Sequence, residues 1–536
     1  MTGPSVPRPR AGAPGPHAAP GAILTDPAPP DTPTAPAATG DQEVRRSTRN
    51  GLVGLAGAAI NGVLGFLLTV VIVRGLGPAG SGAMFTAIGV VAIVGVLCCA
   101  GADTALVWAL PRRRAGRDGD AARLLPVALL PALLLTVAVA ATGVALARSL
   151  APVLFDRDTG AGVDLLRLAF AGLPFVVAMT VLLAAVRAVR PVTALVAVQY
   201  VFVPAARPAL VLAALGAGAG VTAAFAGWLA PVVAAVAVCA VLLVRPLGLG
   251  AGARLRPVAA DWRTLWGFAL PRAASAAIDA SSMWLTVLLT AALAGQAEAG
   301  IIGAVGRYAL AGLLVMQGLR VSVAPQLSRL LGQHRTAEAA QVYRRITAAI
   351  VALSWPGYLL LAIFAPGFLS LFGREFTGGA LPMAVLAGAM MVNSGVGIVQ
   401  TLLLMSGSSG RHLFAAATGL VLNVGLALAL IPRHGALGAA VAWTVGIVAE
   451  NVLATAAARR VVGEPLMTRS VLLTAAVAGT GTAVLAGLGA LVAGRGVAGL
   501  FLTLGTAVLL AAAALAHPAV RRRARAAAGT LGRRAS

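Results

Sequence analysis

Apolar stretches of about 20 residues or more recur from residue 50 to residue 516, separated by short polar linkers that carry most of the arginines. A helix of about 20 apolar residues crosses the roughly 30 Å hydrocarbon core of a bilayer. Fourteen such segments fall near 50–73, 82–110, 124–147, 164–186, 192–216, 220–244, 264–293, 299–324, 346–368, 380–405, 412–432, 436–458, 470–493 and 496–516. Several contain Gly and Pro, which membrane helices tolerate better than soluble ones. The pattern predicts an all-α polytopic membrane protein with about 14 transmembrane helices. Residues 1–44, rich in Pro, Ala, Gly and Thr, carry no apolar core and are expected to form a disordered cytoplasmic tail. They lack the apolar h-region of a signal peptide, and a dispensable extension is the preferred reading over a regulatory one.

The linkers set an orientation. With the N-terminus inside, about 30 arginines lie on the cytoplasmic side, in the tails and in alternate linkers such as RRRAGRDGDAAR (112–123) and ARRVVGEPLMTR (458–469). The other side keeps six: Arg74, Arg148, Arg157, Arg374, Arg433 and Arg495. This obeys the positive-inside rule and fits an even number of spans in a cell membrane, with both termini cytoplasmic. The formal net charge of +24 then reflects topology and contact with anionic lipids rather than nucleic-acid binding.

The chain also repeats itself. A shift of 218 residues places Asn61 on Asp279, Gly77 on Gly295 and Gly82 on Gly300. The offset equals six helices, so the two halves run parallel, as in transporters that rock two lobes about a midplane site. The expected organisation is an N-terminal lobe over 45–245, a C-terminal lobe over 246–462, two further helices over 463–516 and a basic cytoplasmic tail over 517–536. Residues 328–345 mix four arginines with apolar residues and read either as an amphipathic element along the cytoplasmic membrane surface or as a solvated linker.

Ionisable groups within spans are costly and face a cavity or a partner. Those inside spans are Asp103, Arg167, Arg207, Arg272, Asp279, Arg307, Arg320 and Glu450, with Arg74 at a span's outer end. Arg272 and Asp279 share one segment, Arg307 and Arg320 the next, and Asp103 occupies in the first repeat roughly the place of Arg320 in the second. The clustering predicts a cationic central cavity, where guanidinium groups can grip a phosphate bidentately. Arg167 is read as snorkelling. Arg207, between Pro204 and Pro208, is read first as a donor to freed carbonyls, and stays among the candidate ligands with Asn61 and Asp103. Glu450 and Asp279 are candidate ion-coupling carboxylates; for Glu450 and Asn451 an interhelical hydrogen bond is the equal alternative. Gln199, Gln317, Asn393, Gln400 and Asn423 read as helix–helix hydrogen-bonding groups.

Composition narrows the classes. The chain is 59% hydrophobic and 11% charged, whereas soluble domains are roughly a quarter charged. All 41 Lys+Arg residues are arginine, which excludes a Walker-A ATPase and a Lys Schiff base. The three cysteines and five histidines have no metal-ligand spacing. No cofactor, metal or catalytic residue is expected.

Five stretches, in order, resemble one family: VVIVRGLGPAGSGAMFTA (70–87) with GADTALVWALPRR (101–113); AGIIGAVGRYAL (299–310); APQLSRLLGQ (324–333); LFGREFTGGALPMAVLAGAMM (371–391); and LNVGLALALIPRHGALGAAVAWTV (422–445). Together they resemble the polysaccharide-exporter, or O-antigen flippase, branch of the multidrug/oligosaccharidyl-lipid/polysaccharide superfamily over most of residues 48–465. Ile302 departs from that pattern where an aromatic is usual, with Tyr308 further on. The resemblance implies a fourteen-helix, two-lobed flippase for a polyprenyl-pyrophosphate oligosaccharide, with Arg272, Arg307, Arg320 and Arg74 as pyrophosphate ligands. It implies a non-enzyme, monomeric, working with glycan polymerases or glycosyltransferases. The alternatives are a lipid II flippase or a drug/cation antiporter of the same superfamily; an integral-membrane glycosyltransferase or polymerase is disfavoured because no linker between spans exceeds about 20 residues.

Overall fold

The computed structural model of the chain describes residues 40–115, 121–155, 159–249 and 256–516. The tail expected over 1–44 lies outside the described residues up to 39, and from Gly40 the backbone is already helical; the basic tail over 517–536 also lies outside them. In chain order the α-helices are α1 (Gly40–Cys99), α2 (Ala102–Ala115), α3 (Leu124–Leu154), α4 (Thr159–Val189), α5 (Val192–Leu195), α6 (Val203–Gly216), α7 (Val221–Leu247), α8 (Ala259–Ala294) and α9 (Gln296–Ala311). They continue as α10 (Leu313–Gly332), α11 (Thr336–Ile363), α12 (Ala365–Ser370), α13 (Ala380–Gly395), α14 (Val399–Met405), α15 (Ser409–Val462), α16 (Arg469–Ala493) and α17 (Val497–Ala516). No strand occurs among the described residues.

Nine continuous helices among the described residues are long and apolar enough to cross a membrane. Two of them, α1 and α15, are each a pair of helices joined through a non-helical glycine, Gly77 and Gly435. The remaining predicted spans are α8, the pair α9–α10 and α17. The chain is an all-α, multi-pass membrane protein. Long apolar side chains such as Leu134, Val241 and Leu491 stand exposed around the outside, as expected of a surface that meets lipid tails rather than water.

Residues from Arg49 onward form one unit. Within it α3, α4, α6 and α7 pack on one another, and α8, α11, α13, α15 and α16 form a second group. Inside lipid, helices gain little from burying more hydrocarbon, so close approach through small residues carries much of the packing. Gly77 (φ 65, ψ −175) and Gly295 (φ 89, ψ 174) share a backbone conformation that L side chains avoid. Each starts a helix that meets its repeat mate. A Cβ on Gly82 would overlap the Gln296 carbonyl, and a Cβ on Gly300 would overlap the Pro78 carbonyl. Gln296 is the residue 218 places after Pro78, so the contact is reciprocal, as a pseudo-two-fold axis along the membrane normal requires. The Gln296 side chain adds to this seam: its amide nitrogen donates to the Leu154 carbonyl, and Thr86 Oγ1 donates to its amide oxygen at 3.3 Å. The seam lies at the starts of these two helical segments, at the opposite end from the arginine-rich linkers 112–123 and 328–345.

On the arginine-rich face, Arg113 at the end of α2 meets Asp261 in the first turn of α8 at 2.5 Å. Asp261, 1% exposed, also accepts the Val258 N–H at 3.2 Å. Trp108 stacks on Phe268 beside it at 4.6 Å, and Trp266 Nε1 donates to the Val127 carbonyl. Removing the cation would leave a buried carboxylate without its partner, which costs about 1–3 kcal/mol. Arg113→Ala is therefore expected to lower the melting temperature in detergent, while Asp261→Asn, which removes the charge and keeps an acceptor for Val258, lowers it less; differential scanning fluorimetry checks both.

Three sequence expectations change. Residues 328–345 are neither a surface helix nor a free linker: they are the end of α10, a turn at 333–335 and the start of α11. The reason is packing, since Leu330, Ala339, Ala340 and Tyr343 lie buried against α14 and α15. The span expected at 346–368 accordingly begins at Thr336. The span expected at 380–405 is broken between α13 and α14, where Gly397 takes φ 61.

Candidate substrate-binding cavity

Two adjoining cavities open within the protein, of about 410 and 420 Å³. Asn61, Pro204 and Arg207 line both, so one wall is shared. The segment that supplies Arg207 is irregular: α5 passes into a π-helical stretch, Val196–Phe202, before α6 begins. Pro204 and Pro208 follow, and neither can donate a backbone hydrogen bond. A π-turn inside an α-helix re-aims the side chains around it and is frequent at functional sites.

Arg207 is held by two contacts. Its Nε donates to the Trp228 carbonyl at 3.2 Å, and its guanidinium carbon sits 4.0 Å from the Trp228 ring centroid. Both are consistent with a cation fixed in place with its terminal NH₂ groups left for a ligand. Across the second cavity stands Arg307 of α9, its guanidinium carbon 5.3 Å from the Trp284 ring. Arg307 Nε is buried and has no hydrogen-bond partner, and no ion pair involves Arg207 or Arg307 among the described residues. Two cations thus share a cavity, and no described carboxylate is ion-paired with either. Such an arrangement costs energy when empty and favours an anion that meets both. The remainder of the second cavity is apolar, with Phe66, Leu68, Ile88 and Val91 in its wall.

The first cavity reaches toward the arginine-rich face. It is lined by Asp103, at the start of α2, by Thr180 and the exposed Arg187 on α4, and by Gln199 and Tyr200 of the π-stretch. Counting Arg187, Arg207 and Arg307 against Asp103, the described lining of the two cavities is net cationic.

The structure brings together four of the sequence candidates: Asn61, Asp103, Arg207 and Arg307. Arg207 does donate to a carbonyl, but to that of Trp228 on α7 and not to one freed by Pro204 or Pro208, and it lines the cavity as well. Arg74 stands elsewhere: it is exposed, and its Nε donates to the Leu371 carbonyl at 2.8 Å. Arg320 is half-buried on α10 and lines neither cavity. The side chains of Arg272 and Asp279 lie outside the described residues. Glu450 accepts from Gln400 Nε2 at 2.7 Å and Asn451 donates to Asn393 Oδ1 at 3.1 Å, which places both in interhelical contacts between α13, α14 and α15; neither lines the two cavities above. Tyr308 OH donates to the Phe368 carbonyl at 2.7 Å within an aromatic cluster of Phe66, Phe368 and Phe372, while Ile302 is buried in the core. Sequence reasoning missed Arg187, Tyr200, Trp228 and Trp284 as lining groups, and assigned Gln199 to helix packing. The signal was available only in part: tryptophans in spans look like packing until a guanidinium is found over them.

The fold is that of the MOP-superfamily transporters. No protein-family profile and no curated protein matches the chain. Among solved structures, the chain is similar to an inward-facing multidrug resistance MATE family transporter, with TM-score 0.65 at 18% identity over 77% of this chain and 98% of that one. It is also similar to the lipid II flippase MurJ in an inward closed conformation, with TM-score 0.61 at 10% identity over 86% of this chain and 98% of that one. A third, at TM-score 0.55 and 15% identity over 78% and 96%, is a MOP superfamily transporter from Pyrococcus furiosus, described as having a binding pocket of reverse polarity that suggests a different function.

Proposed function

We propose that this protein is a flippase that moves a lipid-linked oligosaccharide, carried on a polyprenyl pyrophosphate, across the cell membrane by alternating access, for assembly of a surface polysaccharide. The observation that carries this reading is the pair Arg207 and Arg307: two cations in one largely apolar cavity, with no carboxylate paired to either among the described residues. A pyrophosphate supplies the missing anion, and the apolar walls suit the first isoprene units. The reciprocal Gly82–Gln296 and Gly300–Pro78 seam gives two lobes a place to close on one another while the opposite face admits substrate. Arginine placement puts that admitting face, and both termini, in the cytoplasm. The work needs no nucleotide. An anionic lipid moving outward down an inside-negative potential gains about 2.3 kcal/mol per charge per 100 mV. Asp279 and Glu450 remain the carboxylates proposed for any ion coupling.

Two of the similar folds belong to a drug-resistance transporter and a lipid II flippase, and the archaeal relative in fold is noted for the reversed polarity of its pocket. Pocket charge is thus a natural variable of this fold. The excess of arginine here speaks for an anionic lipid and against a cation antiporter, whose cavity needs a carboxylate where this one holds guanidinium groups.

Binding tests the reading without transport. The purified protein in detergent is expected to bind geranyl diphosphate and to lose that binding in Arg207→Ala, while an organic cation such as ethidium shows no saturable binding. Saturable ethidium binding with none for the diphosphate would replace this reading with the antiporter.

A further inference from the structure

We infer that the first cavity is a glycan subsite, which receives the sugar residues next to the pyrophosphate; this rests on the flippase reading above. The two cavities differ in chemistry although they share a wall. The second is apolar apart from Asn61 and its two arginines. The first is lined by Asn61, Asp103, Thr180, Arg187, Gln199 and Tyr200, a set dense in groups that meet hydroxyls. The amides of Asn61 and Gln199 each offer donors and an acceptor, the Asp103 carboxylate accepts on two oxygens, and Thr180 and Tyr200 do both. A sugar hydroxyl likewise donates and accepts, so amides and a carboxylate satisfy it better than guanidinium groups alone. Tyr200 adds a ring face on which a pyranose can pack.

Local backbone builds this wall. Gln199 and Tyr200 both line the cavity from the π-helical stretch Val196–Phe202, together with Thr180 and Arg187 of α4 and Asp103 of α2. At about 410 Å³ the space falls in the lower part of the roughly 300–1,000 Å³ range of small-molecule sites, enough for the first sugars of a chain and not for a long glycan. Its position completes the argument. Arg207 lies on the shared wall, so a pyrophosphate held there would direct its lipid ester toward the apolar cavity and its glycosyl ester toward Asp103 and Gln199. Further sugars would leave past Arg187, which is exposed at the end of α4 on the arginine-rich face.

The test compares two probes on the full-length protein in detergent: geranyl diphosphate, and the same diphosphate carrying one N-acetylhexosamine. Wild type is expected to bind the glycosylated probe more tightly. Gln199→Ala is expected to weaken it by about 2- to 10-fold, the worth of one neutral hydrogen bond, and leave geranyl diphosphate unchanged. The double variant Gln199→Ala/Tyr200→Ala is expected to remove the sugar's contribution altogether. Arg207→Ala, by contrast, weakens both probes. Equal affinity of wild type for the two probes, or equal loss of both in Gln199→Ala, would overturn the subsite while sparing the pyrophosphate site. Indifference of geranyl diphosphate to Arg207→Ala would overturn the flippase reading itself. Tyr200→Phe, which keeps the ring, separates loss of stacking from loss of the hydroxyl if the alanine variants fold poorly.

Discussion

Arg307→Ala is expected to weaken binding of a prenyl diphosphate by about 10- to 150-fold, since a hydrogen bond to a charged group is worth about 1.5–3 kcal/mol. The same change is expected to leave the empty protein as stable as wild type or more so. Arg307 Nε is buried without a hydrogen-bond partner, and its guanidinium carbon lies 5.3 Å from the Trp284 ring centroid. Removing such a charge relieves desolvation and breaks no ion pair among the described residues. That combination separates a ligand from a structural arginine: a residue holding helices together would lose stability first and binding as a consequence. Melting temperature with and without geranyl diphosphate reads both quantities on one sample. A fall in the melting temperature of the empty protein of several degrees, with unchanged diphosphate affinity, would place Arg307 among the packing residues.

Gly82→Leu is expected to prevent closure of the face opposite the arginine-rich linkers. A side chain there must displace the Gln296 backbone, and overpacking at a tight contact costs about 1–3 kcal/mol or more. Because the seam is reciprocal, Gly300→Leu is expected to act alike through Pro78. Ser81, fully buried beside the seam, gives a reporter. A Ser81→Cys protein is expected to resist a water-soluble maleimide and to become reactive once Gly82→Leu is added; the natural cysteines Cys98, Cys99 and Cys239 are buried. Transport is expected to stop in both leucine variants. Protection of Ser81→Cys in the Gly82→Leu background would mean the seam is not a moving contact.

Much of the architecture is legible because the bilayer imposes a simple rule on composition. Each predicted span is largely helical in the structure, with breaks inside 82–110, 299–324, 346–368 and 380–405, and the offset that superposes Gly77 on Gly295 also identifies the two glycines, Gly82 and Gly300, that meet. What escapes is whatever depends on tertiary partners. The start of α11 reads equally as an amphipathic surface element or as a solvated linker because of its arginines, while Ala339, Ala340 and Tyr343 are buried against helices far along the chain. The cavity is legible by halves. Arg307 stands out as a charge inside a span. Arg207 is masked by its prolines, which offer a local explanation for a guanidinium, and only the position of Trp228 on a neighbouring helix shows that it is both anchored and turned to the cavity. Arg74 shows another limit of the sequence: the carbonyl its Nε meets belongs to Leu371, 297 residues later.

The most direct measurement is flipping of a fluorescent polyprenyl-pyrophosphate oligosaccharide in proteoliposomes, comparing wild type with the Arg207→Ala/Arg307→Ala protein. Wild type is expected to expose the labelled lipid on the opposite leaflet, faster when the membrane potential favours outward movement of negative charge, and the double variant to do so no faster than protein-free liposomes. A wild-type protein that flips no lipid while extruding organic cations, or a double variant that flips as fast as wild type, would contradict the account.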